Sequence, residues 1–229
     1  MCGRTSLSID ATDLENRFDI EIDDQDVPKR YNIAPRDDLL AVRNDEPETC
    51  AMLNWGLVPS WADGPDAVQR PINARAETVR ERSFFRPTYE NRRCLILADG
   101  FYEWKDDRGT KQPYRFQRTD GDPFAFAGLW ESWTDGSEEL RTCTILTTEA
   151  SPIMQPVHDR MPVILEPDEE DAWLSEGNGA VLEDVIDPYP EEELEAYEIS
   201  PRVNDPTNDD PGVIEPADTT QSGLGDFST

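Results

Sequence analysis

The residue with the most distinctive chemistry is Cys2, which directly follows Met1. If Met1 is removed, Cys2 carries a free α-amine next to its own thiol, a pair that no internal cysteine can offer. The two groups have ordinary pKa values of about 8 and about 8.5, so both are partly nucleophilic at neutral pH. The amine can condense with an aldehyde to an imine, and the thiol can then close a thiazolidine ring. Position 2 is also an ordinary place for a cysteine, so other residues must support this interpretation.

Three other side chains could complete such a site. His158, the only histidine, can exchange a proton near neutral pH, although a lone histidine is more often structural. Glu103 stands between aromatic residues after a predicted core strand, where burial raises the pKa of an unpaired carboxylate. A salt-bridged structural glutamate would give the same pattern. Asn73 supplies an amide that can orient a nucleophile, but the spacing of these residues does not show that they meet.

Aromatic and basic residues suggest a binding surface without requiring one. Trp55 and Trp61 enclose a stretch with Gly and Pro that suits neither a helix nor a regular strand. In a core both indole N–H groups would need hydrogen-bond partners, whereas on a surface the rings could stack on bases. Arginines are concentrated between residues 75 and 93. For most of them, pairing with nearby glutamates such as Glu77 is favoured over contact with phosphates.

The composition indicates one domain with a strongly acidic surface. The chain has 229 residues and a formal net charge of −29, spread along its whole length. Such a surface stays hydrated when salt screens its self-repulsion, so we hypothesise a protein from a halophile, with an acidic partner-binding protein as the alternative. No apolar stretch could span a bilayer and no signal peptide is present, so we expect a cytoplasmic location and no membrane contact. The four cysteines are widely spaced, and we expect neither a metal site nor an organic cofactor.

The predicted elements are mostly short strands joined by hairpin turns. The strands lie near residues 39–42, 51–55, 94–98, 113–118, 124–130, 141–148 and 194–199. The helices lie at residues 12–18, at about 78–85, from 167 to before 177, and at 180–186. This pattern predicts an α+β fold: a single domain with a curved, mostly antiparallel, barrel-like β core and peripheral helices. We divide the chain into a domain at 1–204 and an acidic C-terminal extension at 205–229, disordered after about residue 217.

Seven stretches of the sequence resemble the SRAP family, named for SOS response-associated peptidases, whose members shield abasic sites in DNA. They are MCGR (1–4), RYNIAP (30–35), WGLVPSW (55–61), INARAET (72–78), ADGFYEW (98–104), HDRMP (158–162) and SPRVN (200–204). They follow the order and spacing of the family, and the similarity covers about residues 2–204.

The resemblance implies a function and a site. The family removes Met1 by self-cleavage, and the exposed Cys2 forms a thiazolidine with the ring-opened aldehyde of an abasic site, preferentially in single-stranded DNA. Asn73 would hold the nucleophile and the adduct, and Glu103 would assist Met1 removal and condensation. His158 would move protons during ring opening, imine formation and reversal of the crosslink. Lyase-type chemistry is a further activity expected of such a site. The resemblance also implies a set of DNA contacts. Phosphate contacts are implied for Arg4, Arg75 and Arg160, and a DNA groove for Trp55, Trp61, Trp104 and Pro35.

Two other functions stay open at this point. One is a cysteine peptidase that acts on other proteins, with Cys2 as the nucleophile and His158 as the base, although no local peptidase signature surrounds Cys2. The other is a non-enzymatic acidic binding module, for which Cys2 would be dispensable. For the abasic-site function we expect a monomer that is associated with the nucleoid when bound to DNA.

Overall fold

The computed structural model describes residues 2–22, 27–175 and 187–217. The strands in these ranges are β1 (Thr5–Leu7), β2 (Arg30–Ile33), β3 (Asp38–Arg43), β4 (Glu46–Trp55), β5 (Asn73–Arg75), β6 (Arg93–Ala98), β7 (Gly100–Asp107), β8 (Thr110–Arg118), β9 (Phe124–Thr134), β10 (Glu139–Glu149), β11 (Arg160–Pro162), β12 (Ile164–Leu165) and β13 (Leu194–Glu198). The α-helices are α1 (Ala11–Phe18), α2 (Arg86–Asn91) and α3 (Pro167–Leu174).

Five strands form a closed ring in the order β4, β3, β6, β9 and β10. The ring closes because β10 pairs with β9 on one side and with β4 on the other. All pairs in the ring are antiparallel except β10 with β4. A closed ring leaves its strands without a free edge over the paired residues. The predicted α+β fold with a mostly antiparallel, barrel-like core is therefore confirmed.

A second sheet, in the order β13, β8, β7, β1 and β2, packs against this ring. An aromatic cluster joins the two sheets. Phe101 of β7 stacks on Phe116 of β8, with 5.1 Å between ring centroids, and meets Phe126 of β9 edge-on at 5.9 Å. All three rings are fully buried. Aromatic side chains bury large apolar areas, so this cluster fixes the second sheet on the barrel.

A smaller apolar cluster lies on the other face of β7. Tyr102 packs there with Ile199, Val203 and Val213, and Trp104 packs against the same group. Phe101, by contrast, belongs to the main core. The predicted alternation along β7 is confirmed, because successive side chains of a strand point to opposite faces.

The C-terminal segment, which we define as residues 199–217, is held on β2 by Asp209. Its carboxylate accepts the backbone N–H groups of Tyr31 at 2.5 Å and Asn32 at 2.9 Å, and it pairs with Arg30 Nε at 2.5 Å. Residues on both sides of position 204 thus pack on the same strands, while the division of the chain there stays a prediction. The predicted helix at 180–186 and the chain after residue 217 lie outside the described residues.

Some element boundaries differ from the sequence prediction. The helical stretch expected up to Phe85 is wrong: residues 76–78 form one 3-10 turn, and the α-helix begins only at Arg86. Pro87 explains the late start, because proline is accommodated in the first turn of a helix but not in its interior. β4 begins at Glu46, inside the predicted turn. Among the described helices, none is long and apolar enough to cross a membrane.

Candidate functional site

β1 and β7 bring the N-terminus next to the segment that carries Glu103. Thr5 pairs with Phe101, and the Tyr102 N–H donates to the Arg4 carbonyl at 3.0 Å. Cys2 is fully buried, with its Sγ 3.8 Å from the Arg4 oxygen. Burial raises the pKa of the Cys2 thiol, and the nearby Glu103 carboxylate raises it further, while a hydrogen bond with the Arg4 backbone lowers it. The thiol is therefore protonated at neutral pH and has a carboxylate nearby that can receive its proton.

Glu103 and His158 line one cavity of about 510 Å³, together with Trp104, Lys111 and Asn204. Glu103 comes from the buried part of β7, His158 from the loop before β11, and Asn204 from the C-terminal segment. Two of the predicted catalytic side chains therefore face the same space. The cavity gives a ligand access to a base and a proton donor at the same time.

The His158 ring has two neighbours at one nitrogen. The Arg160 backbone N–H donates to Nδ1 at 2.9 Å, and Asp159 Oδ1 lies 3.0 Å from the same atom. An Nδ1 that accepts from Arg160 leaves the proton of the neutral ring on Nε2. A protonated Nδ1 would instead donate to Asp159. The two contacts suit two protonation states of the ring, as a proton shuttle requires.

Asn73 opens β5, which pairs in parallel with β10. Its amide Nδ2 donates to the Ile72 carbonyl at 2.8 Å. Its Oδ1 is buried, and no described residue donates a hydrogen bond to it. A buried amide oxygen without a donor is costly, so it is well suited to accept an N–H group from a bound molecule. This favours the predicted role of Asn73 in orienting an amine.

Arg4 connects the N-terminus to the C-terminal segment. Its Nη1 donates to Asn32 Oδ1 and to the Val203 carbonyl, both at 2.6 Å. The guanidinium also lies over the Trp104 ring, 5.8 Å from its centroid. A phosphate contact by Arg4, which stays a prediction, would have to compete with these partners.

The other two predicted phosphate contacts differ in their surroundings. Arg75 is exposed on β5. Arg160 makes a bidentate ion pair with Glu77 at 2.5 and 2.9 Å, and it also donates to the Thr147 carbonyl. The bidentate partner of Glu77 is therefore Arg160, not one of the arginines between residues 75 and 93 as expected. Arg75 has the more available charge for a phosphate, because a paired guanidinium must lose its partner to bind another anion.

The predicted groove residues range from buried to exposed. Trp55 is fully buried, and its indole N–H donates to the Ile72 carbonyl at 2.9 Å. The core alternative therefore describes Trp55, and its burial does not support direct stacking on DNA. Trp61 is 63% exposed and meets Phe84 edge-on at 6.0 Å, which matches the surface alternative. Trp104 is half-buried and donates to Asn204 Oδ1 at 2.7 Å, and Pro35 is half-buried at the end of β2.

No group of His, Cys, Asp or Glu side chains in the part of the chain that the structure describes could hold a metal ion. The thiols of Cys94 and Cys143 are also deeply buried, and burial raises the pKa of each.

Comparison with known proteins identifies the family. A family model described as SOS response associated peptidase (SRAP) matches residues 1–206. The chain belongs to the SRAP family.

Relatives and solved structures agree with this assignment. The chain is 41% identical over 225 residues to the abasic site processing protein YoqW of Bacillus subtilis (strain 168), covering 94% of this chain and 99% of that protein. It is 32% identical to the abasic site processing protein YedK of Escherichia coli (strain K12), covering 76% and 79%. A crystal structure of a protein from Bacteroides thetaiotaomicron has a TM-score of 0.85 at 26% identity, covering 94% of this chain and all of that one.

Three residues of this SRAP site were not singled out from the sequence. Lys111 and Asn204 line the cavity, and Asn32 is the fully buried partner of Arg4. Asn32 and Asn204 lie in the RYNIAP and SPRVN stretches, so the resemblance contained a signal for both. Lys111 lies in no such stretch and reaches the cavity because β8 pairs with β7.

Proposed function

We propose that this SRAP protein captures abasic sites in single-stranded DNA by forming a thiazolidine between Cys2 and the ring-opened sugar. The observation that carries the proposal is the pairing of β1 with β7, which brings Cys2 to the strand of Glu103, and Glu103 shares a cavity with His158. The names of the relatives, abasic site processing proteins, support the same substrate. An abasic nucleotide in a single strand has no base to unstack, so its aldehyde is accessible.

The first chemical step is the opening of the sugar ring. The abasic sugar is mostly a closed hemiacetal, so a proton must leave its hydroxyl while another reaches its ring oxygen. His158 can carry such a proton, because its two contacts at Nδ1 suit both protonation states. The product is a free aldehyde in the cavity.

The second step joins the aldehyde to Cys2. The free α-amine adds to the carbonyl carbon, and loss of water gives an imine, with Asn73 Oδ1 available to accept an amine hydrogen. The thiol then adds to the imine carbon while its proton moves by way of Glu103 to the nitrogen. One C–N and one C–S bond form, and the carbonyl oxygen leaves as water. The reverse sequence, in which water is taken up again, would release the DNA with its aldehyde restored. We propose lyase-type chemistry as a separate reaction of the imine, in which loss of a proton from the carbon next to the imine expels the neighbouring phosphate by β-elimination.

The α-amine exists only when Met1 is gone, and we propose that the chain removes Met1 itself with help from Glu103. Intact mass of the purified protein and of a Glu103→Gln variant tests this step. Self-cleavage predicts that the variant retains Met1, whereas removal by a separate aminopeptidase predicts that both chains lose it.

The central test uses a single-stranded oligonucleotide with one abasic site and a denaturing gel. Cys2→Ala should abolish the adduct. Asn73→Ala, Glu103→Gln and His158→Ala, each tested after an added aminopeptidase has removed any retained Met1, should slow its formation. Ser137→Ala, in the exposed β9–β10 turn, serves as the control and should react like the parent. Absence of an adduct from folded protein that has lost Met1 would refute the proposed function.

A peptidase that acts on other proteins is the second candidate, and its nucleophile would be a thiolate. The surroundings of Cys2 disfavour a thiolate, because burial and the Glu103 carboxylate both raise the pKa of its thiol. Reversible acylation of the α-amine separates the two functions. A thiol-only peptidase keeps cleaving an unfolded protein after acylation, whereas thiazolidine formation stops.

The acidic surface poses a problem for a DNA-binding protein, because ionic contacts with phosphates weaken steeply as salt rises. We propose that arginines are gathered on the face that meets DNA, while acidic residues cover the rest of the surface. The protein would act as a cytoplasmic monomer. At high salt the covalent bond, not ionic contact, would retain the DNA. Noncovalent binding should then fall as KCl is raised, while an adduct that has already formed persists. Loss of the preformed adduct on raising KCl alone would contradict the proposal.

A further inference from the structure

Arg36 and Arg70 form a pair of like charges beside Gly56, outside the residues assigned to the site above. A Cβ placed on Gly56 would lie 3.3 Å from Arg36 Cζ and 3.3 Å from Arg70 Cβ. The Arg36 Cζ and the Arg70 Cβ are therefore no farther apart than the sum of these two distances. The positive charges are close enough that Arg36 lowers the pKa of Arg70, adding to the larger effect of burial. Two cations this close are costly unless an anion lies between or above them.

The pair is built into the fold. Arg70 Nε donates to the Gly56 carbonyl at 3.1 Å, and its Nη2 donates to Asn54 Oδ1. Asn54 Nδ2 donates in turn to the Arg36 carbonyl at 2.6 Å and to Asp38 Oδ1 at 2.8 Å. Asn54 thus fixes the Arg36 backbone and the Arg70 side chain relative to each other.

Gly56 allows the Arg36 guanidinium to lie on the backbone. A Cβ at this position would come within 2.1 Å of Arg36 Nη1, and Gly56 has a φ of +132° that other residues rarely adopt. Any side chain here would displace the guanidinium.

The described residues provide no ion pair for either arginine. Arg30, Arg43, Arg92 and Arg160 each have a carboxylate partner. The Arg36 side chain is exposed and makes no hydrogen bond within the described part of the chain, although the chain has 50 acidic residues. Arg70 is half-buried, and Asp66 acts on it electrostatically without forming an ion pair. Two neighbouring arginines without an ion pair in such an acidic chain indicate an external anion.

Its position points to DNA phosphate as that anion. Arg36 follows Pro35, and Arg70 precedes the Pro71–Asn73 stretch, which leads into the candidate site. Two hydrogen bonds connect this stretch to residues 55–57, which lie beside Arg36. The Leu57 N–H donates to the Pro71 carbonyl at 3.0 Å, and the Trp55 indole N–H donates to the Ile72 carbonyl. Under the proposed function Asn73 holds the adduct, so the phosphates that flank the abasic nucleotide would lie close to this stretch.

We propose that Arg36 and Arg70 together bind one phosphate group of the DNA strand that flanks the abasic nucleotide. The inference rests on the proposed function for the identity of the strand. Two guanidiniums offer planar donor pairs that match phosphate oxygens, and the two positive charges are offset by the phosphate and its neighbours. The backbone N–H and carbonyl of Gly56 already have partners, in Cys143 and Arg70, so Gly56 itself offers the phosphate no donor.

The test measures equilibrium binding of an unmodified single-stranded oligonucleotide as a function of salt. Arg36→Gln should weaken binding roughly ten-fold at low salt, and it should reduce the slope of log affinity against log salt by about 0.7, the value for one lost phosphate contact. Arg141→Gln is the matched control, because it removes the same charge from an exposed arginine that already pairs with Glu139. Equal effects of the two substitutions would overturn the proposal, since only the overall field would then be involved.

Two further arms separate the remaining outcomes. Arg70→Gln, checked for an unchanged thermal unfolding midpoint, should reproduce the Arg36→Gln result, and the double variant should add little because both residues contact one phosphate. Inorganic phosphate and a nucleoside monophosphate serve as competitors: a pair that binds these but leaves DNA binding unchanged is a free-anion site, which would overturn the DNA assignment. If the parent forms no adduct with abasic DNA but the slope still changes, the proposed function fails while the phosphate contact stands.

Discussion

The Cys2–Glu103 pair has two opposing effects on reactivity. The carboxylate holds the thiol in its protonated form by raising the pKa of Cys2, together with the stronger effect of burial. We propose that the same carboxylate takes the thiol proton during ring closure. A neutral thiol is protected from unwanted alkylation and oxidation, because the thiolate is the reactive species. The Cys2 thiol then loses its proton only when an imine is present to react with it.

Replacing Glu103 with Gln should therefore change these two properties in opposite directions. Removal of the negative charge lowers the pKa of the Cys2 thiol, so its thiolate absorbance should appear at lower pH than in the parent. In Glu103→Gln protein from which an added aminopeptidase has removed Met1, adduct formation should nonetheless slow, by roughly a hundred-fold or more, because the base is lost. A Cys2→Ser chain supplies the baseline for the other thiols. Faster adduct formation in Glu103→Gln would show that the carboxylate acts only through its charge.

The buried guanidinium of Arg115 leaves no room for a side chain at Gly100. A Cβ at Gly100 would lie 2.6 Å from the guanidinium of Arg115, which pairs with Asp99 at 3.2 Å in the interior. Gly100→Ala should destabilise the fold by roughly 1–3 kcal/mol in chemical denaturation, because the ion pair must shift in a packed site. Gly64→Ala is the control, since a Cβ at Gly64 has no neighbour within 4 Å. Equal stability of the two variants would mean that Arg115 moves freely.

At the scale of elements, the C-terminal segment is a wall of the site rather than an appendage. It supplies Asn204 to the cavity and the Val203 carbonyl to Arg4. Its anchor is Asn32, whose Nδ2 also faces the carbonyls of Asp205 at 3.0 Å and Asn208 at 2.8 Å. The buried Asn32 side chain thus connects the C-terminal segment to β2, which pairs with β1 near the N-terminus.

Asn32→Ala should release this segment. The substitution removes the donor to the partly buried carbonyls of Asp205 and Asn208 and one of the two acceptors of Arg4, so we expect a loss of about 2–4 kcal/mol in the free energy of unfolding. Limited proteolysis should cut within residues 199–217 faster than in the parent. Asn91→Ala, on the exposed end of α2, should change neither property. A stable Asn32→Ala protein with an uncut segment would show that Asp209 holds the segment alone.

The sequence predicted much of this arrangement but not its assembly. Alternation along residues 101–104 placed Phe101 and Tyr102 on different faces, because strand periodicity is local. Closure of the barrel depends on β10 pairing with both β9 and β4, and no local pattern encodes that pairing. For the same reason the motifs indicated Asn32 and Arg4 separately, while their contact arises from packing between distant segments. Trp55 and Trp61 had equal patterns, and only the tertiary fold separates the buried ring from the exposed one.

At the scale of the whole molecule, the net charge of −29 acts against the compact barrel. Repulsion between surface carboxylates is felt over about 10 Å at 0.1 M salt but over only about 3 Å at 1 M. The thermal unfolding midpoint should therefore rise as KCl increases towards molar concentrations. Sorbitol at equal osmolality is the control and should give a smaller increase. A midpoint that is flat or falls with KCl would argue against adaptation to high salt and favour an acidic surface that serves a partner.

The contact between Arg4 and Val203 has a consequence for how the protein is made. Its two ends are separated by 199 positions, so the hydrogen bond cannot form until nearly all of the described chain has left the ribosome. At translation speeds of about 5–20 residues per second, the N-terminus waits on the order of ten to forty seconds for its last neighbours. If Met1 is removed by the completed site, every unfinished chain keeps its N-terminal amine blocked as methionine. The reactive pair on Cys2 is then exposed only in molecules whose synthesis has succeeded, and truncated products carry no aldehyde-capturing end.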